Sequence, residues 1–559
     1  MLAKLIYAIR TVFRAFRNIL RRMKHAPEYV LFTLDGSYPE LPVPPAPWWQ
    51  RFFTKSPLSL QELGDRLRQV AHDPRVKGVV LHLRPLAMSM AQLQTLRGFI
   101  SELKAKGKRV VGWSYSYDTA NYFVACAADE ILMQHDGLIS PLGLKFNYYF
   151  LSEALERVGL KFDAVQITPF KSAPDIFIRK NMSDEARQMS NWLADSLYGD
   201  FVQGVAEGRK MSEAEAKALV DKSPYIDLKA IQAHAIDGLL SEEELPEHLG
   251  SDGAAAKISS WESAKRRLRL QPLKRPGKYI TLLRIEGDIV DGKSQRPPIK
   301  PPVLIPFLTR ERAGDLSVVQ DARRVLRDKR AAALVVYVDS GGGSATASEA
   351  MSAALRQVAK IKPVIICMGP VAGSGGYYVA TPGQWIIAQP TTITGSIGVV
   401  WGKLITSGLL SKLSFNKEII SRGEHIKLLD TSRPYTDEER TWVRDFIERV
   451  YDVFLDRVCQ SRKMTRDAVD AISGGRVWTG RQALQNGLID QLGGLQEAFA
   501  KARELASLDE KTAIHEVSIR KGNLPPIAQP TAILDYAISG VRIFNSANAL
   551  LISTLTPEE

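Results

Sequence analysis

The feature that most constrains this 559-residue chain is that it repeats itself. Asp73–Leu83 aligns with Asp328–Val338 at an offset of 255 residues. Asn121–Leu144 aligns with Gly376–Val399 at that same offset and without a gap. Tyr29–Gly36 resembles Tyr279–Gly287, and Tyr225–Leu239 matches Trp478–Leu492 at an offset of 253. Agreement over four blocks requires two copies of one folding unit, each long enough to bury its own core.

Each copy alternates short apolar runs with helical patterns. Val79–Leu83 and Leu334–Val338 are β-branched runs suited to buried parallel strands. Helical patterns follow at Leu93–Lys104 and Ala347–Lys360, then further strands at Val110–Gly112 and Val364–Met368. The fold class is therefore α/β, built from tandem βα units. The division is an N-terminal helix over 1–27, a first repeat over 28–245, a connector over 246–277, a second repeat over 278–505 and a tail over 506–559.

The formal charge is +13, and its location decides what it means. Residues 1–24 carry seven bases and no acid, as do residues 265–278. These two segments account for the whole excess, so the body is balanced and carries no nucleic-acid signature. In the first segment, Leu5, Ile9, Val12, Phe13, Phe16 and Leu20 recur at helical spacing opposite the bases. That is an amphipathic cationic helix, expected to attach the protein to an anionic membrane surface or to pack on the body or a second subunit. Its longest charge-free apolar stretch is too short for a span or a secretory core. The tail over 533–555 is apolar but interrupted by charges, and is expected to form a second surface-bound helix. Cys126, Cys367 and Cys459 are far apart and show no metal or disulfide spacing; they read as buried thiols.

The copies are most informative where they have diverged. The second has Asp339-Ser-Gly-Gly-Gly-Ser344 after a strand, where the first has Arg84-Pro-Leu-Ala-Met-Ser89. Consecutive glycines let backbone N–H groups approach a ligand and suit an oxyanion hole. The second copy also has Ser374 between Gly373 and Gly375 at the start of a helical run, where the first has Thr119. Such a serine presents its hydroxyl beside helix N-terminal amides, which favours attack on a carbonyl.

A serine nucleophile needs a base. His425 lies in a loop of the second copy and could complete a histidine-based triad. A lysine could serve if apolar surroundings lower its pKa. Lys171, in Ile167-Thr-Pro-Phe-Lys-Ser-Ala-Pro174, has such surroundings. Lys427 is a further candidate.

The motifs Asp339-SGGGSATAS-Glu349, Gly373-SGGYYV-Ala380, Thr394-GSIG-Val399 and Phe170-KSAPDIFIRKNM-Ser183 together resemble the long, two-domain signal peptide peptidase A (protease IV) family, peptidase family S49. The resemblance covers about residues 28–505. It implies two tandem Clp protease/crotonase-like domains and a serine endopeptidase with a Ser–Lys dyad shared between the halves. Ser374 is then the nucleophile, Lys171 the general base and Ser396 the hydroxyl orienting it. The Gly375 and Gly342 amides are the implied oxyanion donors. No metal or cofactor is required. The implied substrates are short apolar peptides such as remnant signal peptides. The implied assembly is a homotetramer, and the implied location is the bacterial inner membrane. Two features depart from the family: Gly341 stands where a proline is usual, and the N-terminus shows the amphipathic helix where a transmembrane segment is usual. A crotonase-like acyl-CoA enzyme and an inactive peptide-binding scaffold are the rival readings.

Overall fold

The computed structural model describes residues 2–43, 57–297, 310–517, 536 and 550–552. Two parallel sheets carry the duplication. In the first, the spatial order of strands is Ile258–Ser260, Tyr29–Gly36, Gly78–Leu86, Arg109–Ser114, Glu130–Met133 and Gly238–Leu239. In the second, eight-stranded sheet the corresponding six are Thr512–Glu516, Arg275–Glu286, Ala331–Ser340, Val364–Gly373, Trp385–Ala388 and Gln491–Leu492, and Ile393–Gly395 with Val477–Thr479 branches from Val364–Gly373. The two orders correspond strand for strand, so the fold is two tandem α/β units of one topology.

The strands form where expected because their residues are buried on both faces. Val79, Val80, Leu81 and Leu83 are buried, as are Leu334, Val335, Val336 and Val338. Helices start at capping residues. Ser89 caps Met90–Ala105 with Gln92 returning the bond, and Ser344 caps Ala345–Ala359. Two matching 26-residue helices, Asp184–Arg209 and Asp437–Arg462, end at Lys210 and Lys463, both left-handed.

The boundaries differ from the sequence-based division. The segment read as connector contributes Ile258–Ser260, paired to Tyr29–Leu31, and the short helix Trp261–Ala264. The second repeat runs past residue 505, because Thr512–Glu516 pairs with its edge strand. Three residues, as in Ile258–Ser260, are too few to show an alternation, and the five of Thr512–Glu516 show no clean alternation of buried and exposed positions, so neither was legible. The tail helix expected over 533–555 lies almost wholly outside the described residues; Leu550–Ile552 is a strand.

One strand crosses between the halves. Lys161–Gln166 belongs to the first repeat yet pairs antiparallel with Val400–Ile405 of the second over six residues. Tyr435 N–H donates to Asp163 at 2.7 Å, and Arg440 pairs with the same carboxylate. Trp192 stacks on Trp478 at 5.0 Å and donates to the Val477 carbonyl. Beside it Met189, Leu193 and Leu197 bury against Val371, Ile393 and Val477 of the other half. This apolar seam sets the crossing loop beyond Gln166 against the second repeat.

Candidate active site

The crossing strand delivers Lys171. After Gln166 the chain stays on the second repeat, with Ile167 N–H bonded to the Val399 carbonyl and the Thr168 hydroxyl to Gly474. Lys171 N–H then closes a turn on Thr168. The Lys171 side chain is only 1% exposed.

Ser374 sits at the end of strand Val364–Gly373 and before helix Gly375–Ala380. Its backbone has φ 54° and ψ −114°, a strained conformation for a residue with a Cβ. Ser374 N–H bonds the Gly395 carbonyl at 2.8 Å, which holds the strained turn in place. The first repeat lacks this turn. Thr119 there is an ordinary first-turn helical residue, behind an Asp118 cap, and its hydroxyl donates to Gly143.

Lys171 Nζ lies within hydrogen-bond distance of three oxygens. They are Ser374 Oγ at 2.7 Å, the Ser396 carbonyl at 2.9 Å and Ser396 Oγ at 3.0 Å. Burial holds the amine well below the ordinary lysine value, with no carboxylate among the causes to restore it. A neutral amine has two N–H donors and one lone pair. Donating to the Ser396 carbonyl and hydroxyl leaves that lone pair for the Ser374 O–H. The arrangement can therefore take the serine proton as oxygen attacks a carbonyl.

Ser396 is itself left-handed, at φ 52°, and its N–H bonds the Arg476 carbonyl at 2.6 Å. Gly475, next to Arg476, escaped the sequence reading. A Cβ there would fall 2.5 Å from Lys171 Cα, and its φ is +94°. Only glycine lets this loop press on the lysine backbone. The available signal was the Gly474-Gly475 pair before the strand Val477–Thr479.

The two glycine loops meet. A Cβ on Gly375 would lie 3.1 Å from Gly342 Cα and 3.2 Å from Gly343 N. Gly342 N–H donates to Ser340 Oγ at 3.1 Å, so that amide is engaged within its own loop. The strand Gly342–Ser344 also pairs antiparallel with Leu550–Ile552, which in turn pairs with Val400. A strand of the chain itself thus lies between the glycine loop and the crossing sheet. His425 and Lys427 are both exposed, the first preceding and the second within the short 3-10 helix Ile426–Leu429, and neither is bonded to Ser374. Among the described residues, no group of histidines, cysteines and carboxylates is arranged to hold a metal.

A strained serine at a strand-to-helix turn, a buried lysine on its hydroxyl and a converging glycine loop define a serine hydrolase site on a duplicated α/β fold. Comparison with known proteins narrows the class. The model for peptidase family S49 matches residues 102–254 and 356–509, one segment in each repeat. The chloroplastic serine protease SPPA of Arabidopsis thaliana is 31% identical over 84% of this chain and 70% of its own length. Protease 4 of Haemophilus influenzae is 31% identical over 81% of this chain and 74% of its own length. A putative signal peptide peptidase SppA of Enterococcus faecium is 28% identical over 42% of this chain and 66% of its own length. The chain belongs to peptidase family S49 and is a serine protease.

Proposed function

We propose that the protein is a Ser–Lys endopeptidase that cleaves short apolar peptides, such as remnant signal peptides, at a membrane surface. The observation that carries the reading is the 2.7 Å contact between the buried Lys171 amine and Ser374 Oγ, made across two repeats that each hold one member.

In this reading Ser374 Oγ attacks the scissile carbonyl while Lys171 Nζ accepts its proton. The Ser396 hydroxyl and carbonyl orient the amine. The tetrahedral oxyanion is held by the Gly375 and Gly342 amides, the latter exchanging its bond to Ser340 Oγ for the substrate oxygen. The ammonium then returns its proton to the leaving amine as the C–N bond breaks. Water, deprotonated by the same amine, hydrolyses the acyl-enzyme and regenerates Ser374. Both proton transfers run through one buried nitrogen. Peptide substrates suit the site because Gly342–Ser344 and Val400 already accept an extended strand between them. No step calls for a metal or cofactor. A homo-oligomer, a tetramer by family resemblance, and a membrane location belong to the same reading.

A fluorophosphonate probe tests it. Wild type should be labelled at Ser374, and Ser374→Ala should be neither labelled nor active on apolar peptides. Wild type that neither labels nor cleaves would favour a peptide-binding scaffold. Thioesterase or hydratase turnover of an acyl-CoA, independent of Ser374, would favour the crotonase-like alternative.

A further inference from the structure

The N-terminal helix Leu2–Arg22 is seated on the protein the wrong way round for an ordinary surface helix. Tyr7, Arg14, Asn18 and Arg21 form one stripe at helical spacing, and this polar stripe faces the body. Asn18 exchanges two hydrogen bonds with Leu270, accepting from its N–H at 2.8 Å and donating to its carbonyl at 3.2 Å. Arg21 donates to the carbonyls of Lys265 and Leu268, and Tyr7 to that of Leu273. Arg75 ties the end of the helix down through the Arg21 and Lys24 carbonyls. Asp73 holds Arg75 and also accepts from Arg269 N–H, joining helix, connector and first repeat in one cluster.

At 100° per residue, the centre of the stripe Leu5–Ile9–Val12–Phe16–Leu20–Met23 lies about 175° from the seated stripe. These residues are exposed, Val12 to 71% and Met23 to 79%. An exposed apolar face of this length is more than a water-facing surface ordinarily carries. Arg10, Arg17 and Lys24 flank it on one side and Arg22 on the other, placed to reach past the stripe toward headgroups. The seat is the second basic segment, whose Arg266 and Arg267 are exposed. Their backbone neighbours bond the helix directly, which puts these charges within about a Debye length of it. No described helix is long and apolar enough to cross a membrane.

We propose that the helix and the 265–273 connector form one docking platform for an anionic lipid bilayer, with the helix lying in the plane of the interface. Its apolar stripe enters the acyl region, its flanking bases meet the headgroups, and the connector adds attraction from behind. The polar seat fixes the helix to the body, so binding orients the whole enzyme instead of tethering it. This accounts for a connector as basic as the helix it carries. The proposal rests on the membrane-surface part of the reading above, and a failure here leaves the peptidase chemistry standing.

Flotation of the full chain tests it, using phosphatidylcholine vesicles with and without phosphatidylglycerol at low and high salt. Wild type should float with the anionic vesicles, more weakly at high salt. Val12→Glu with Phe16→Glu should abolish flotation and leave hydrolysis of a soluble peptide and the melting temperature unchanged. Arg266→Gln with Arg267→Gln should weaken binding roughly five-fold per charge and flatten its salt dependence. Asn18→Ala should keep binding but speed hydrogen exchange over 265–273. Absence of anionic-vesicle binding overturns the proposal, as does binding that the Val12/Phe16 pair does not affect. Concentration-dependent self-association abolished by that pair, without vesicle binding, would assign the face to a second copy of the chain. Loss of soluble-peptide hydrolysis in wild type would instead count against the peptidase reading.

Discussion

Replacing Lys171 by methionine removes the amine and keeps the apolar stem that fills its channel. Three contacts vanish together, those to Ser374 Oγ, the Ser396 carbonyl and Ser396 Oγ. A positioned general base contributes about 10²–10⁴ in rate, or about 2.7–5.5 kcal/mol of barrier. The loss should fall on kcat and leave KM near its wild-type value, because Lys171 is buried against Ser374. Folding should survive, since the burial cost of the amine disappears while two hydroxyls and a carbonyl each lose a partner. These are opposing effects of about 1–3 kcal/mol each. The assay is initial-rate hydrolysis of a fluorogenic apolar peptide across pH, with probe labelling and thermal unfolding on the same preparations. Wild-type kcat/KM should rise with pH through the lowered lysine pKa, and this limb should be missing from Lys171→Met. Retention of activity within about ten-fold, together with loss in Lys427→Ala or His425→Ala, would refute the assignment of the base.

Ser396→Ala removes one of the contacts that orient the amine and should lower kcat by roughly 10-fold or more, with the alkaline-rising limb displaced in the pH–rate profile. Gly475→Ala drives a Cβ into the Lys171 backbone from a left-handed position, so probe labelling should slow by orders of magnitude even where the variant still folds. Removing residues 550–559 frees the strand position between Gly342–Ser344 and Val400. At about 1 kcal/mol for each of two ladder bonds, KM for an extended peptide should fall by roughly 30-fold, and an unchanged KM would show that the tail strand does not compete. Native Lys171 gives up its proton at lower pH than the unfolded chain, so between that lowered value and about 10.4 the unfolded state holds the extra proton. Stability to urea should therefore rise with pH across this window in wild type and rise less in Lys171→Met.

Much of this architecture was readable in one dimension. Duplication leaves an offset, buried parallel strands leave apolar runs, and an amphipathic helix leaves a period of 3.6 with charges on one side. The serine turn was visible because the tight strand-to-helix turn there is flanked by glycines, and the other repeat has Thr119 in an ordinary first turn instead. What stayed hidden lies where local pattern carries no information about distance. Ile258–Ser260 is too short for a periodic signal and Thr512–Glu516 lacks a clean alternation, and their place is set by the strands they complete. Gly475 looks like any turn glycine until Lys171 is found against it. The direction in which the N-terminal helix is seated depends on which carbonyls the connector offers to Asn18 and Arg21.

The sequence by itself determined that two α/β units exist, that the second holds a serine at a glycine-flanked turn, and that the excess charge sits outside the catalytic body. It also named a lysine whose neighbours would not stabilise its charge. Only the tertiary structure decided that this lysine, 203 positions from the serine, reaches it. The physical reason is that pairing of Lys161–Gln166 with Val400–Ile405 joins the halves through backbone groups, which every residue shares and no motif marks. The depressed basicity follows from the same event, because it is the closing of one repeat over the other that takes the amine out of water.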